Sequence, residues 1–278
     1  MISKKNFTAT LCGFLCIAAG VTGVQAADTI RINGSGSALD MLKPIVAAYK
    51  KVNKTAAFTS EKPLGSSGAI QALSNGFLDL VVTSKPLSAE DKAKGLQLKE
   101  FGKTPLAIVT EQGVTKTDVS VKELEDIYSG KTTAWPNKEK IRVVLRPEGD
   151  IDSKIIINLS PAMASAMAAA RSRPGMIMGV TDPEAYAFVG KTPGAIGATG
   201  LTSIIAEKLP LNIMSINKVK PSPKNLANGS YPLAKRIDFV VASKSSPEAL
   251  KFLEFVYSKQ GRALAEKTGV LVTAPPAH

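Results

Sequence analysis

The feature that most constrains the fold is an alternation of short apolar runs with segments whose apolar residues recur at helical spacing. The runs at 78–83 and 105–110 are mostly apolar, as is typical of strands buried in a parallel sheet. Within 40–51, Met41 and Ile45 lie on one side of a predicted helix. Alternating strands and helices of this kind predict an α/β fold that binds ligands at the carboxyl ends of its strands.

The same alternation continues towards the C-terminus. Further strands are predicted at 30–32, 141–146, 194–198, 211–219 and 237–242. Further helices are predicted at 69–75, 121–128, 162–171, 247–259 and 262–267. No internal repeat and no long low-complexity segment interrupts this order, so the length suits two small lobes or one large domain.

The N-terminus has the pattern of a secretory signal. Lys4 and Lys5 form a charged start, an apolar stretch follows over 11–24, and 24–26 is a plausible cleavage site before Ala27. The apolar stretch is too short for an ordinary membrane span. We therefore predict a signal peptide at 1–26 and export to the periplasm, with a mature protein that is soluble.

Cysteine and histidine are nearly absent, and this excludes several classes of site. Cys12 and Cys16 both lie in the predicted signal peptide, and His278 is the last residue. Disulfides, thiolate sites, histidine metal sites and serine–histidine triads are therefore not expected. We predict no enzyme activity, no cofactor and no metal. Asp150 and Asp152 could serve as an acid–base pair, but two such carboxylates are more often a loop or a helix cap.

The chain is strongly basic, which favours anionic partners. It has 35 Lys and Arg against 23 Asp and Glu, a formal net charge of +12. Nucleic acid is the obvious competing partner. Aromatic residues make up only 5% of the chain and the lysines are scattered, so we expect no nucleic-acid binding and a small anion instead.

Two Gly/Ser turns are each placed to open a helix. The turn at 34–37 follows the predicted strand at 30–32, and the turn at 65–68 precedes the predicted helix at 69–75. A helix N-terminus has free N–H groups and a partial positive charge, so two such turns can hold one small anion without a metal. Simple helix capping by Ser and Gly remains the alternative for each turn.

In order and spacing, these motifs resemble the phosphate-binding proteins of bacterial phosphate ABC transporters. The resemblance runs from about Ile30 to about Val270 and includes both Gly/Ser turns. Val143-Val144-Leu145-Arg146 resembles the strand that delivers the family's ligand-binding arginine. Further resemblances lie at 78–79, 84–88, 124–135 and 194–197.

The resemblance implies a two-lobed type II periplasmic binding fold with the ligand in a cleft that closes over it. Lobe I would comprise 27–109 and 236–278, and lobe II would comprise 110–235. The implied partners are a small phosphate-like anion and a membrane permease, with the binding protein itself a monomer. The implied ligand-binding residues are Gly36, Ser37, Ala38, Ser66, Ser67, Lys85, Arg146, Asp150 and Asp152.

The chain departs from the family pattern where the ligand would be selected. Lys85 stands where the family has an aspartate that accepts the proton of phosphate, and a lysine can only donate. Asp150, Ile151 and Asp152 replace a Ser-Gly-Thr sequence, and Ala38 replaces a hydroxyl residue. With Glu148 counted, two cations would face three carboxylates, which makes a poor phosphate site on charge alone.

Three interpretations of these departures stay open. Asp150 and Asp152 cap the following helix and face solvent, which leaves an oxyanion site intact. Alternatively, Lys85 pairs with one of them across the cleft, and the ligand is zwitterionic or larger. In the third interpretation, that pair fills the anion site and nothing small binds, as in a sensory or partner-binding protein of the same fold.

Overall fold

The computed structural model of the chain describes residues 29–59 and 61–275, so the predicted signal peptide lies outside the described residues. The helices are α1 (Gly36–Val52), α2 (Gly65–Ser74), α3 (Ala89–Ala93), α4 (Val121–Ser129), α5 (Ile151–Ile157), α6 (Pro161–Ser172), α7 (Asp182–Lys191), α8 (Leu201–Ala206), α9 (Pro223–Ala227), α10 (Pro247–Tyr257) and α11 (Lys259–Lys267). The strands are β1 (Thr29–Ile30), β2 (Ile32–Gly34), β3 (Ala57–Phe58), β4 (Leu80–Thr83), β5 (Gln97–Thr110), β6 (Asp118–Val119), β7 (Arg142–Leu145), β8 (Ile177–Met178), β9 (Ala195–Gly200), β10 (Asn212–Ile213), β11 (Ser215–Ile216), β12 (Ala234–Val241) and β13 (Leu271–Val272).

Most strands of the described part form one mixed sheet. Its order is β2-β4-β12-β5-β9-β7-β8, and β10 and β13 also pair with β5. β2 pairs in parallel with β4, and β7 pairs in parallel with β8 and β9. The two long strands, β5 and β12, run antiparallel to each other through the middle of the sheet. They connect the two parallel halves.

The run at 105–110 is a buried strand, but the prediction that it is a parallel one is wrong. It forms the end of β5, whose partners β9, β10, β12 and β13 are all antiparallel to it. All six residues of the run are buried because helices and loops cover both faces of the sheet. A continuous apolar run reports burial on both faces and carries no information on strand direction.

Two other predictions differ from the structure at their boundaries. The predicted strand 211–219 is divided at Met214 into β10 and β11, which pair with different strands, β5 and β6. Both Gly/Ser turns contribute residues to the helices that they open, because α1 begins at Gly36 and α2 at Gly65. The glycines and serines therefore lie in the first helical turn, where backbone N–H groups are free.

The apolar residues form separate cores on the two sides of the β5–β12 pair. One side packs α1, α10 and α11 against β2, β4 and β12, with Phe252 and Phe239 fully buried. The other packs α4 and α6 against β5, β7 and β9 around Tyr128 and Trp135. The helices α1 and α8 join the two sides, where the Thr202 hydroxyl donates to the carbonyl of Ser37 at 2.7 Å. In the described chain, no helix is both long and apolar enough to cross a membrane.

Candidate functional site

The N-terminus of α1 is enclosed by another helix. Its N-cap, Ser35, makes no side-chain capping bond, and the N–H of Ser37 donates to Oδ2 of Asp182 at 3.3 Å. A Cβ atom on Gly36 would lie 2.8 Å from the Asp182 Cβ and 3.1 Å from the Pro183 Cδ. Glycine at this position therefore lets the start of α7 approach the start of α1.

The N-terminus of α2 has a different setting. Gly65 adopts a positive φ of 69°, which glycine tolerates without strain, and a Cβ there would meet nothing within 4 Å. Neither serine caps the helix by its side chain: the Ser66 hydroxyl accepts from the N–H of Ser84 at 3.0 Å. The Ser67 hydroxyl accepts from Nζ of Lys85 at 3.1 Å. These contacts bring an ammonium group to the start of α2.

The start of α2 opens on a cavity of about 420 Å³. The loop that follows β7 and residues of α7 and β12 also line this cavity. Charged residues dominate its polar lining, with four cations against two carboxylates. They are Lys85, Arg146, Lys154, Lys235, Asp150 and Asp182. The cavity lining therefore has a formal net charge of +2, a favourable setting for an anion.

Arg146, one residue beyond β7, is held by a carboxylate and a carbonyl. Its Nη2 lies 2.8 Å from Oδ2 of Asp150, and its Nη1 donates to the carbonyl of Gly179 at 2.9 Å. Burial lowers the pKa of Arg146, but Asp182, Asp150 and Asp152 outweigh it, so the pKa is raised above its ordinary value. Arg146 is a permanent cation whose strongest partner is already within the protein.

Lys235, which lines the cavity, lies between two carboxylates. Its Nζ is 2.7 Å from Oδ1 of Asp152 and 2.9 Å from Oδ1 of Asp182. The exposed fractions of these side chains are 1% for Lys235, 0% for Asp152 and 4% for Asp182. Asp152 forms a close but poorly aligned ion pair with Lys235, and no other described residue donates to its oxygens. Asp182, in contrast, accepts hydrogen bonds from the Lys235 ammonium and from the N–H of Ser37.

The two carboxylates of this group have opposite pKa shifts. Burial raises the pKa of Asp152 to about 7, and Lys235 only partly offsets it. Burial also acts on Asp182, but Lys235, Arg146 and the N–H of Ser37 lower its pKa to about 2. Asp182 is therefore ionised at neutral pH, and Asp152 is the group of this cluster that takes up a proton.

The three interpretations of Asp150 and Asp152 each fail in part. Asp150 does cap α5, since it accepts the N–H of Asp152 at 2.9 Å, but it also pairs with Arg146. Asp152 is fully buried and does not face solvent. Lys85 contacts Ser67 and forms no ion pair with either aspartate. The second and third interpretations therefore named the wrong partner for these carboxylates.

The predicted site residues fall into two groups. The cavity is lined by Ser66, Ser67, Lys85, Arg146 and Asp150, which the fold brings together from both sides of the sheet. Four others lie buried outside its lining: Gly36, Ser37, Ala38 and Asp152. The role of all nine in binding stays a prediction. The charge count made from the sequence is corrected, because Glu148 and Asp152 do not line the cavity and Lys154, Lys235 and Asp182 do.

Sequence reasoning missed Asp182 and Lys235. Asp182 follows Thr181, which caps α7 in a capping box with Glu184, so its sequence suggested an ordinary helix start. Lys235 had a usable signal, because strand alternation places it on the same side of β12 as buried Ile237. A lysine at such a position is unusual unless a carboxylate pairs with it.

Comparisons with known proteins agree with this architecture. The chain is 24% identical over 251 residues to the phosphate-binding protein PstS of Borreliella burgdorferi, covering 87% of this chain and 89% of the relative. PstS of Bacillus subtilis is 25% identical over 250 residues, covering 84% and 77%. These relatives are named as binding proteins and not as enzymes, in agreement with the prediction that the chain is not an enzyme.

Solved structures show the same two-lobed α/β fold. A Clostridium perfringens protein solved with bound phosphate has a TM-score of 0.75 at 20% identity, covering 89% of this chain and all of that one. A phosphate transport receptor of Vibrio cholerae has a TM-score of 0.59 at 20% identity, covering 88% and 100%. Residues 19–260 match the family described as PBP superfamily domain. With most of its length matched to that family, the chain belongs to the PBP superfamily.

Proposed function

We propose that the chain is an exported solute-binding protein of a phosphate-type ABC transporter and that it captures phosphate or a related oxyanion in the cleft. The observation that carries the proposal is the cavity at the start of α2, where Lys85 and Arg146 approach the same space. The names of the PstS relatives and the bound phosphate of the Clostridium perfringens structure support the choice of anion.

The cavity offers two kinds of anion-binding group. The first turn of α2 presents backbone N–H groups and the positive end of the helix dipole. Lys85 and Lys154 add ammonium groups, and neither forms an ion pair with another described residue. Arg146 and Lys235 are already paired with carboxylates, so their charge contributes at longer range. The oxyanion would lie near Ser67 and Lys85.

Calorimetry on phosphate-stripped protein tests the proposal. Titration with phosphate, sulfate, molybdate and arsenate should give saturable heat with at least one of them. Lys85→Gln should weaken that binding, because it removes the ammonium next to Ser67. Lys224→Gln, an exposed lysine of α9 outside the cavity, is the matched control and should leave affinity unchanged. No heat and no melting shift with any oxyanion would exclude the function.

A second candidate ligand is one with a cationic group beside its anionic group. Asp150 and Asp182 both line the cavity, and a carboxylate favours a cation or an acidic hydroxyl over a bare anion. The same calorimetric titration with amino acids and with phosphocholine separates the two ligands. Saturable heat with these zwitterions and none with oxyanions would favour the second candidate.

We propose that lobe I comprises 27–109 and 236–278 and that lobe II comprises 110–235. The separate apolar cores on either side of β5 and β12 support this division.

We also propose that a signal peptide at 1–26 directs export to the periplasm, where the monomeric protein delivers its ligand to a membrane permease. Mass spectrometry of the secreted protein, with Ala27 as its first residue, tests the export.

A further inference from the structure

The N-termini of two helices are in contact beside the cavity. The start of α7 lies against the start of α1, close enough that a Cβ on Gly36 would lie 2.9 Å from Oδ2 of Asp182. Each helix N-terminus carries a partial positive charge, so two of them in contact repel unless an anion lies between them. Asp182, the first residue of α7, supplies a carboxylate at that point.

The contacts of this carboxylate are those that a bound anion would make. One oxygen accepts the backbone N–H of Ser37 in the first turn of α1, and the other accepts from the ammonium of Lys235 at 2.9 Å. The N–H groups of a helix start and an ammonium are the donors that hold small oxyanions in proteins. The Asp182 carboxylate therefore occupies the position that such an anion would have.

Ser37 itself is buried and does not line the cavity, whereas Asp182 and Lys235 do. The carboxylate, and not the Ser37 N–H, is therefore the group that the start of α1 presents to the cavity, and a Cβ on Gly36 would leave no room for it. Ser37 belongs to the β2–α1 unit at one edge of the main sheet, and Asp182 follows β8 at the opposite edge. The contact therefore joins the two halves of the described fold.

We propose that Asp182 is a built-in ligand: its carboxylate occupies the anion position at the start of α1, so solute anions bind only at the start of α2. The occupation of the α1 position by Asp182 is supported by the contacts of that carboxylate alone. The binding of solute anions at the start of α2 rests on the proposed function. Anion binding at this second position is then independent of Ser37, although both turns have the same composition.

Chemical rescue tests the assignment. Asp182→Ala removes the carboxylate and leaves a space for formate next to Ser37 and Lys235, whose backbone N–H and ammonium groups are otherwise left without their anion. Its melting temperature should rise saturably with sodium formate and not with sodium chloride at equal ionic strength. Asp182→Asn fills the space and Asp126→Ala removes a carboxylate of α4 outside the cavity, so neither variant should show a larger saturable response to formate than the wild type, whose response reports only anions bound at the start of α2.

Two results would overturn the assignment: an Asp182→Ala protein that responds equally to formate and chloride, or a wild-type protein that shows the same saturable response. If Asp182→Ala does not fold, amide NMR spectra of the wild type test the proposal instead. The Ser37 amide resonance should not shift during a formate titration, and a saturable shift would contradict the proposal.

The proposed function can fail separately. Absence of oxyanion heat in the wild type would exclude the proposed function but would leave formate rescue of Asp182→Ala unaffected.

Discussion

The starts of α1 and α2 have nearly the same sequence and opposite environments. Gly36 and Gly65 each begin a helix, and each is followed by serine. At α1 the first turn is buried and its Ser37 N–H binds the carboxylate of Asp182. At α2 the first turn opens on a cavity with Lys85 beside it. A Gly/Ser helix start is therefore an anion position in both places, but only one is left for a solute.

The difference arises from residues distant in sequence. At the α1 position, Lys235 pairs with both Asp182 and Asp152 and all three side chains are almost fully buried, so the charges there are balanced within the protein. Lys85 and Lys154 at the α2 position are partly or fully exposed, so solvent and solute can balance their charge. Burial of the surrounding charges, and not the motif itself, determines which helix start binds a solute.

The largest expected effect comes from removing the cation that pairs with Asp182 at the start of α1. Lys235→Met leaves Asp182 and Asp152 buried without their cation, and removal of one partner from a buried ion pair destabilises proteins by about 3–5 kcal/mol. Urea denaturation measures the loss. Lys122→Met removes a lysine from the exposed pair with Asp126 and should have a much smaller effect. Equal losses would contradict the description of Lys235 as the balancing charge.

Alanine substitution of one glycine in the first turn of each helix compares the packing of the two helix starts. Gly36→Ala forces Asp182 and Pro183 away from α1, and overpacking of this kind destabilises by about 1–3 kcal/mol. Gly68→Ala in α2 meets only the Leu64 Cβ at 3.3 Å, and alanine favours the helix, so its effect should lie within about 1 kcal/mol of zero. The melting temperatures of the two variants check the contrast. A greater loss for Gly68→Ala would reverse it.

The proton on Asp152 makes stability depend on pH. Burial raises its pKa to about 7, so its contribution is fully present below about pH 4 and is lost as the pH rises through about 7. The slope is at most about 1.4 kcal/mol per pH unit. Asp182, with a pKa of about 2, contributes above about pH 4 and loses its contribution only in stronger acid.

Denaturation curves between pH 4 and 8 measure this dependence. Asp152→Asn does not titrate, so the difference in stability between wild type and variant should decrease as the pH rises through this window. Parallel profiles for the two proteins would show that Asp152 keeps an ordinary pKa.

The smallest expected effect comes from a cation of the cavity lining. Lys154→Gln removes an exposed ammonium there, and an exposed charge contributes only modestly to the binding of an anion. We expect a several-fold loss of phosphate affinity at low salt that shrinks at high salt, measured by calorimetry. Lys224→Gln controls for net charge. A salt-independent loss would mean that Lys154 contacts the ligand closely.

The parts of the fold that depend on local pattern could be predicted from the sequence. The apolar runs that became β4 and the end of β5, and the presence of a helix after each Gly/Ser turn, follow from periodicity and turn residues, although both helices begin about one turn earlier than predicted. The antiparallel pairing of β5 could not, because strand direction depends on chain connections far from the run. A family resemblance supplied the two lobes, which periodicity alone does not reveal.

The site was less predictable because its charges come together only in the fold. Lys235 and Asp182 are 53 residues apart, and no local spacing links them. Asp150 and Asp152 are two residues apart and look equivalent in sequence, yet the start of α5 makes Asp150 a cap at the cavity and buries Asp152. Identifying such a pair requires knowing which face of each element is covered.

The position of a bound oxyanion shows whether the start of α1 or the start of α2 binds the solute. A crystal of the wild-type protein grown with arsenate, a strong anomalous scatterer, locates the anion without ambiguity. We expect one anomalous peak in the cavity near Ser67 and Lys85, with Asp182 still bound to Ser37. A peak within hydrogen-bond distance of the Ser37 N–H, with Asp182 displaced, would contradict this expectation.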